Sequence, residues 1–323
     1  MDNIFLNACK NNQKGVVQTF LKKGGINVDK RDGMGNTPLF YACQKGSRDI
    51  VKLLVEAGAD VNLANNNSTT PLHMVSMSGN KEILTILLEK GADVNTTDKD
   101  GKTALIYSLA DGRTEFTKFL LSKGADKNIK DSSGYTALDY ATSRGLRDTV
   151  ALLVTEEANK DSFGNTPLHQ AVWNNQSEVV GELLKLKTCD IDALNDAGES
   201  ALILACSNAN LHLAEILIKA GANINAKRLD GNSVIHYVSY RGNQFMAKLL
   251  IENGVDVNYK NEFGETPLII AAKNGFNDLT ALLLSKDANV NEHDNAEYSA
   301  LHYASTNGYT EIVEQLIMAG ADS

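Results

Sequence analysis

Thr37 to Gly58 reads TPLFYACQKGSRDIVKLLVEAG, and the order of residue types in it describes two short helices. Thr37 can cap a helix by accepting backbone N–H bonds. Pro38 suits the first helical position, because its missing N–H would be unpaired there anyway. Gly46, nine residues after the threonine, supplies a left-handed stop for that helix. Ile50, Val51, Leu53 and Leu54 then share one face of a second helix, which ends at Gly58. An extended Ala59-Asp60-Val61-Asn62 stretch follows.

The same block returns along the chain. Thr70-Pro71-Leu72, Thr103-Ala104-Leu105, Thr136-Ala137-Leu138 and Thr166-Pro167-Leu168 are followed by Ser200-Ala201-Leu202, Ser233-Val234-Ile235, Thr266-Pro267-Leu268 and Ser299-Ala300-Leu301. Counted from Thr37, the first positions step by 33 residues six times, by 30 once and by 34 once. All four prolines of the protein, at 38, 71, 167 and 267, occupy one phase of this period. An Asp-x-x-Gly turn, such as Asp98 to Gly101, leads into the next block. One such helix pair cannot bury its apolar face alone, so neighbouring units must stack into a continuous core.

Two antiparallel helices and a protruding turn in 33 residues resemble the ankyrin repeat. Thr70-Pro71-Leu72-His73 and Thr166-Pro167-Leu168-His169 carry that family's motif in full, and the other units carry looser versions. Phe5 to Val28 has Ala8-Cys9 in phase with Ala42-Cys43 but lacks the Thr-Pro start, as a capping repeat should. The resemblance covers the chain, 1–323, as a single array. It implies a capping repeat at 1–33 and nine repeats starting near 37, 70, 103, 136, 166, 200, 233, 266 and 299. The expected fold is an all-α repeat solenoid of helix–turn–helix units with β-hairpin-like turns, elongated and curved. With helices about 8–10 Å apart, ten units give an arc of roughly 80–100 Å. In relatives the concave side, lined by turns and first helices, is where partners bind.

Two places break the pattern. Between Val154 and Asp161 three residues are missing and Glu157 stands in the helix-ending glycine slot, so residues 155–160 either form a hinge or absorb a simple deletion in the loop. The next unit has Asn175 in its first glycine slot and one extra residue around Thr188-Cys189-Asp190. The last unit ends in an ordinary apolar helix, Ile312-Val313-Leu316-Ile317. A terminal repeat should turn a polar face outward, which favours a chain cut from a longer protein or a helix covered by something else.

Composition removes several function classes. The net charge of −9 works against nucleic acid as the main partner, since that binding rests on Lys and Arg neutralising phosphates. No apolar run approaches the roughly 20 residues of a membrane helix, and Met1 to Lys14 lacks the profile of a signal peptide. Cys9, Cys43, Cys189 and Cys206 show no CxxC spacing, so neither zinc nor redox work is signalled. A reducing compartment is expected, the cytoplasm first and the nucleus as the alternative.

Candidate chemistry is sparse. His73, His169, His236 and His302 share one phase but fall in different units, too far apart for one metal; in ankyrin proteins this residue braces the repeat. His212 and His293 are isolated and expected at the surface. Cys9, Cys43 and Cys206 occupy a small-residue slot and read as buried, while Cys189 is the thiol expected to be exposed. Gly35-Asn36-Thr37-Pro38 lacks the Gly-Lys-Ser/Thr ending of a phosphate loop. Asn62, Asn95, Asn258 and Asn291 resemble ankyrin sites modified by an asparaginyl hydroxylase, although asparagines here also suit plain pairing of turn backbone. No nucleophile and base recur at one spot. Neither catalysis nor a cofactor nor a metal is expected.

The informative residues are the ones the family leaves open on the concave side. Trp173, the only tryptophan, stands two residues before the first-helix glycine slot. Phe163, Arg144 and Tyr240 lie within two units of it by phase, and Arg241, Met77, Tyr135 and Phe263 occupy equivalent helix or turn positions. Aromatic and arginine side chains dominate binding hot spots. The expected function is a non-catalytic scaffold, monomeric, that holds a protein partner on this face. The alternative is a regulatory or targeting ankyrin domain cut from a larger multidomain protein.

Overall fold

The computed structural model describes residues 1–110, 112–154, 160–186 and 189–322. These form 20 α-helices, with no strand longer than an isolated bridge among the described residues. They divide into two compact units, Met1–Val154 and Thr155–Ser323, each taken by itself below. The expected hinge at 155–160 lies, Lys160 apart, outside the described residues.

The first unit contains five helix pairs: α1 (Asp2–Lys10) with α2 (Lys14–Lys23), α3 (Pro38–Gln44) with α4 (Arg48–Glu56), α5 (Pro71–Ser78) with α6 (Lys81–Glu89), α7 (Ala104–Ala110) with α8 (Thr114–Ser122), and α9 (Ala137–Ser143) with α10 (Arg147–Leu153). The second repeats the plan: α11 (Pro167–Trp173) with α12 (Ser177–Leu184), α13 (Ala201–Ser207) with α14 (Leu211–Lys219), α15 (Val234–Tyr240) with α16 (Gln244–Glu252), α17 (Pro267–Lys273) with α18 (Asn277–Leu284), and α19 (Ala300–Asn307) with α20 (Thr310–Met318). Within each unit the first helices stack on one another more extensively than the second helices do. Small residues such as Ala42, Cys43, Ala171 and Ala205, all fully or nearly fully buried, let the first helices approach closely.

The sequence signals act where they were read. Thr37 Oγ1 accepts from the Phe40 N–H at 3.1 Å, and Thr266 does the same for Ile269 at 3.2 Å. Gly46, Gly79, Gly112, Gly145, Gly242, Gly275 and Gly308 all have φ between 64° and 76°, a region L-residues avoid. In the second unit Asn175 and Ala209 hold the same slot at φ 55° and 54°. The residue two places after each capping Thr or Ser, leucine except for Ile235, is buried from Leu39 to Leu268, but Leu301, in the last repeat, is only half-buried. No described helix is long and apolar enough to cross a membrane.

Three histidines bolt each repeat to the next. The Thr70 N–H donates to His73 Nδ1 at 3.1 Å, so the ring proton sits on Nε2, which donates to the Lys102 carbonyl at 3.0 Å. His169 reaches the Glu199 carbonyl at 2.8 Å and His236 the Glu265 carbonyl at 3.1 Å in the same way. Burial, only partly offset by these bonds, holds all three below the ordinary histidine pKa. His302 departs from this pattern. Its ring is exposed and stacks on Tyr298 at 4.1 Å.

The turns are tied by asparagines. Asn95 Nδ2 donates to the Gly124 carbonyl at 3.2 Å while its Oδ1 accepts from the Asp126 N–H at 2.7 Å. Asn258 and Asn291 repeat both bonds, and Asn62 donates to Gly91. Backbone pairing between repeats therefore accounts for these four side chains. Burial pushes the Cys9 and Cys206 thiols up to about 12 and raises those of Cys43 and Cys189. Cys189, expected to be exposed, is half-buried.

Candidate partner-binding surface

The last turn of each first helix has one face on the core and one on solvent. The residue seven positions after the capping Thr or Ser points outward: Gln44, Met77, Ala110 and Ser143 in the first unit, then Trp173, Ser207, Tyr240, Lys273 and Thr306 in the second. Beside this row stand the turns, each closed by an Asp or Asn side chain at its first position except the one before Ser233, where Arg228 holds that place. Asp294 Oδ1, for example, accepts the N–H groups of Ala296 and Tyr298 at 2.9 and 3.0 Å.

In the first unit the surface is largely self-satisfied. Arg144 is exposed, but its guanidinium donates to the Ala110 carbonyl at 2.5 Å and completes the end of α7. Tyr135 is half-buried and packs edge-on against Tyr140, with ring centroids 6.3 Å apart. Asp32, Asp98 and Asp131 each accept the hydroxyl of the tyrosine nine residues later, Tyr41, Tyr107 and Tyr140, at 2.6 to 2.8 Å. Met77 remains open to solvent.

In the second unit large rings face water. Trp173 is 67% exposed, Phe163 64% and Phe263 62%. The backbone beneath them is fixed: the Phe163 N–H donates to Asp161 at 2.8 Å, and its carbonyl accepts from the Asp196 N–H at 3.0 Å. Arg241, which caps α15, is also exposed.

Tyr240 and Phe263 meet in a groove of about 540 Å³ whose lining also includes Glu265, Lys273, Asp294 and Tyr303. Trp173 and Phe163 are not part of that lining. Trp173 shares a phase with Tyr240, with Ser207 between them, so about two helix spacings of 8–10 Å separate the two. The buried Glu265 carboxylate accepts from Tyr240 Oη at 2.5 Å, Lys273 Nζ at 2.8 Å and Asn261 Nδ2 at 3.2 Å. Burial alone would raise its pKa, but these donors outweigh burial and hold it below the usual carboxylate value. Lys273 Nζ also lies over the Tyr303 ring, 4.8 Å from its centroid, and Tyr303 Oη donates to Asp294 at 2.6 Å. Burial, then the bond to Asp294, raises the Tyr303 phenol to about 12.

The phase places Lys273 on the open side of its first helix, but the sequence does not single out Glu265, Asp294 or Tyr303. Tyr303 carried a usable signal, since it repeats the Asp-to-Tyr spacing of nine seen at Tyr41, Tyr107 and Tyr140. Glu265 carried none, because its slot holds no fixed residue type, with Asn, Thr, Lys, Tyr and Glu all found there.

A family model described as ankyrin repeats (3 copies) matches residues 2–65, 57–131, 128–195, 178–261 and 235–323. The chain belongs to the ankyrin-repeat family. Ankyrin repeats are generally protein–protein interaction modules. An ankyrin repeat domain from Acinetobacter baumannii is 27% identical, with a TM-score of 0.54 over 57% of this chain and 98% of that one. The ankyrin repeat domain of Bcl-3, a member of the IkappaB protein family, is 23% identical, with a TM-score of 0.63 over 68% and 99%. At that identity the second likeness concerns the fold alone. No curated protein sequence matched.

Proposed function

We propose that this ankyrin protein is a non-catalytic scaffold, monomeric by itself, that holds a protein partner on the first-helix and turn face. The exposed ring of Trp173 carries the reading. An indole left largely in water on the short, well-capped α11 contributes little to the fold, yet offers large apolar area at low entropic cost for binding. Phe163, Phe263, Tyr240 and Arg241 extend the same face within the second unit, and Met77 is its counterpart in the first. Four free cysteines fit a reducing compartment such as the cytoplasm.

The test is Trp173→Ala, with melting temperature and partner capture from cell extract both measured against wild type. The expected result is an unchanged melt with partner binding weakened by about 2 kcal/mol or more. A protein that unfolds makes Trp173 part of the core. Unchanged capture removes Trp173 from the site.

A further inference from the structure

The repeats are alike in plan and unlike in charge. Met1–Val154 has 20 Lys and Arg against 17 Asp and Glu, a net of +3; Thr155–Ser323 has 11 against 23, a net of −12. From Glu252 onward there are 3 lysines against 12 acids, a net of −9. The groove between Tyr240 and Tyr303 draws all of its lining except Tyr240 from this acidic stretch. Inside it Lys273 neutralises Glu265, and the buried Asp294 spends its oxygens on Ala296, Tyr298 and Tyr303, so the negative charge open to a ligand is that of Glu262 and Glu297, exposed on the adjoining turns.

The groove already shows which chemistry it accommodates. Its own ammonium, Lys273, sits between a carboxylate at 2.8 Å and an aromatic face at 4.8 Å. Phe263 and Tyr240 offer further exposed rings beside it, and a ring face attracts a cation through its quadrupole. A guanidinium fits better than a second ammonium, because it is planar, weakly hydrated and stacks on aromatic faces. Phosphate backbones and anionic lipid surfaces meet repulsion from the same charge.

We infer that this groove receives an arginine-bearing basic segment of a protein partner, the guanidinium lying against Phe263 and Tyr240 with the exposed carboxylates of Glu262 and Glu297 on the adjoining turns to attract it. The inference rests on the scaffold reading above and gives it a partner chemistry and a place. Surrounding carboxylates would speed the encounter and make it sensitive to salt.

The experiment uses the full chain and a short fluorescein-labelled peptide of Arg, Leu and Gly, with counterparts carrying Gln or Glu in place of Arg. Fluorescence polarisation should show saturable binding of the Arg peptide that weakens as salt is raised, with none for the Glu peptide. Phe263→Ala should weaken it about 30-fold, at an unchanged melting temperature because the ring is mostly in solvent. Glu262→Lys with Glu297→Lys should weaken it as well, and Trp173→Ala should leave it intact. Equal binding of the Arg and Glu peptides, or an Arg peptide indifferent to Phe263→Ala, would overturn the inference. If Trp173→Ala abolishes partner capture while Phe263→Ala leaves the Arg peptide unaffected, the scaffold reading stands and the basic groove falls. The opposite pattern removes Trp173 and keeps the groove.

Discussion

Met1–Val154 and Thr155–Ser323 are built on one repeat and present different surfaces. In the first unit Arg144 closes the end of α7 and Tyr135 packs on Tyr140, while the tyrosine-to-aspartate bond of the turns occurs in both units, as at Tyr41 and Tyr303. In the second, Trp173, Phe163 and Phe263 stand in water, and the net charge is −12 instead of +3. The buried framework is common to both, with a histidine bolt at His73 in one and at His169 and His236 in the other. A repeat protein can thus keep its interior fixed and vary only positions the interior does not use.

The strongest challenge to a shared framework is to remove the bolt in each unit. His73→Ala and His169→Ala should each cost about 3 kcal/mol in chemical denaturation, since a buried N–H and a buried carbonyl each lose a partner at 1–3 kcal/mol. His302→Ala, on an exposed ring, should cost less than about 0.5 kcal/mol. Unequal costs at 73 and 169 would mean that the two units do not rest on the same bracing.

Trp173, the sole tryptophan, gives the second unit its own reporter. Urea unfolding followed by tryptophan fluorescence should separate from the curve given by far-UV circular dichroism, which sees both units. A stability difference of about 1–2 kcal/mol corresponds to midpoints roughly 0.5–1 M apart. Coincident curves would show one cooperative transition and leave the interruption at 155–160 without energetic consequence.

The smallest effect expected is on acidification. His73, His169 and His236 are held neutral by burial, with folded pKa values below the unfolded value of about 6.5. Below that pH the unfolded chain binds more protons than the folded one. Stability is therefore complete above pH 6.5 and declines as pH falls through it toward the depressed folded values. The second unit holds two of these residues and the first holds one, so the fluorescence transition should fall more steeply than the dichroism transition. His169→Gln with His236→Gln should flatten it.

Reading the residues in order recovered the helix boundaries, the turns and the histidine phase, because each depends on local geometry. A Thr cap, a Pro at the first helical position and a Gly at positive φ act within a few residues of themselves. His302 shows where this stops. It has the residue type and phase of a bolt, yet its ring is exposed and stacks on Tyr298. Arg144 and Tyr135 show a similar limit: an exposed slot says nothing of what a long side chain finds nearby, here the Ala110 carbonyl and the Tyr140 ring.

The amino-acid order by itself determined the period, the paired helices, the capping chemistry and the family. Those follow from backbone preferences and apolar spacing repeated in phase along the chain. Only the tertiary structure decided that Tyr240, Glu265, Lys273 and Tyr303, from different repeats, share one groove, and that the lysine there already serves a buried carboxylate. Residues about one period apart come together through stacking, and which of their side chains then touch depends on rotamers and charge between neighbours, which the phase does not encode.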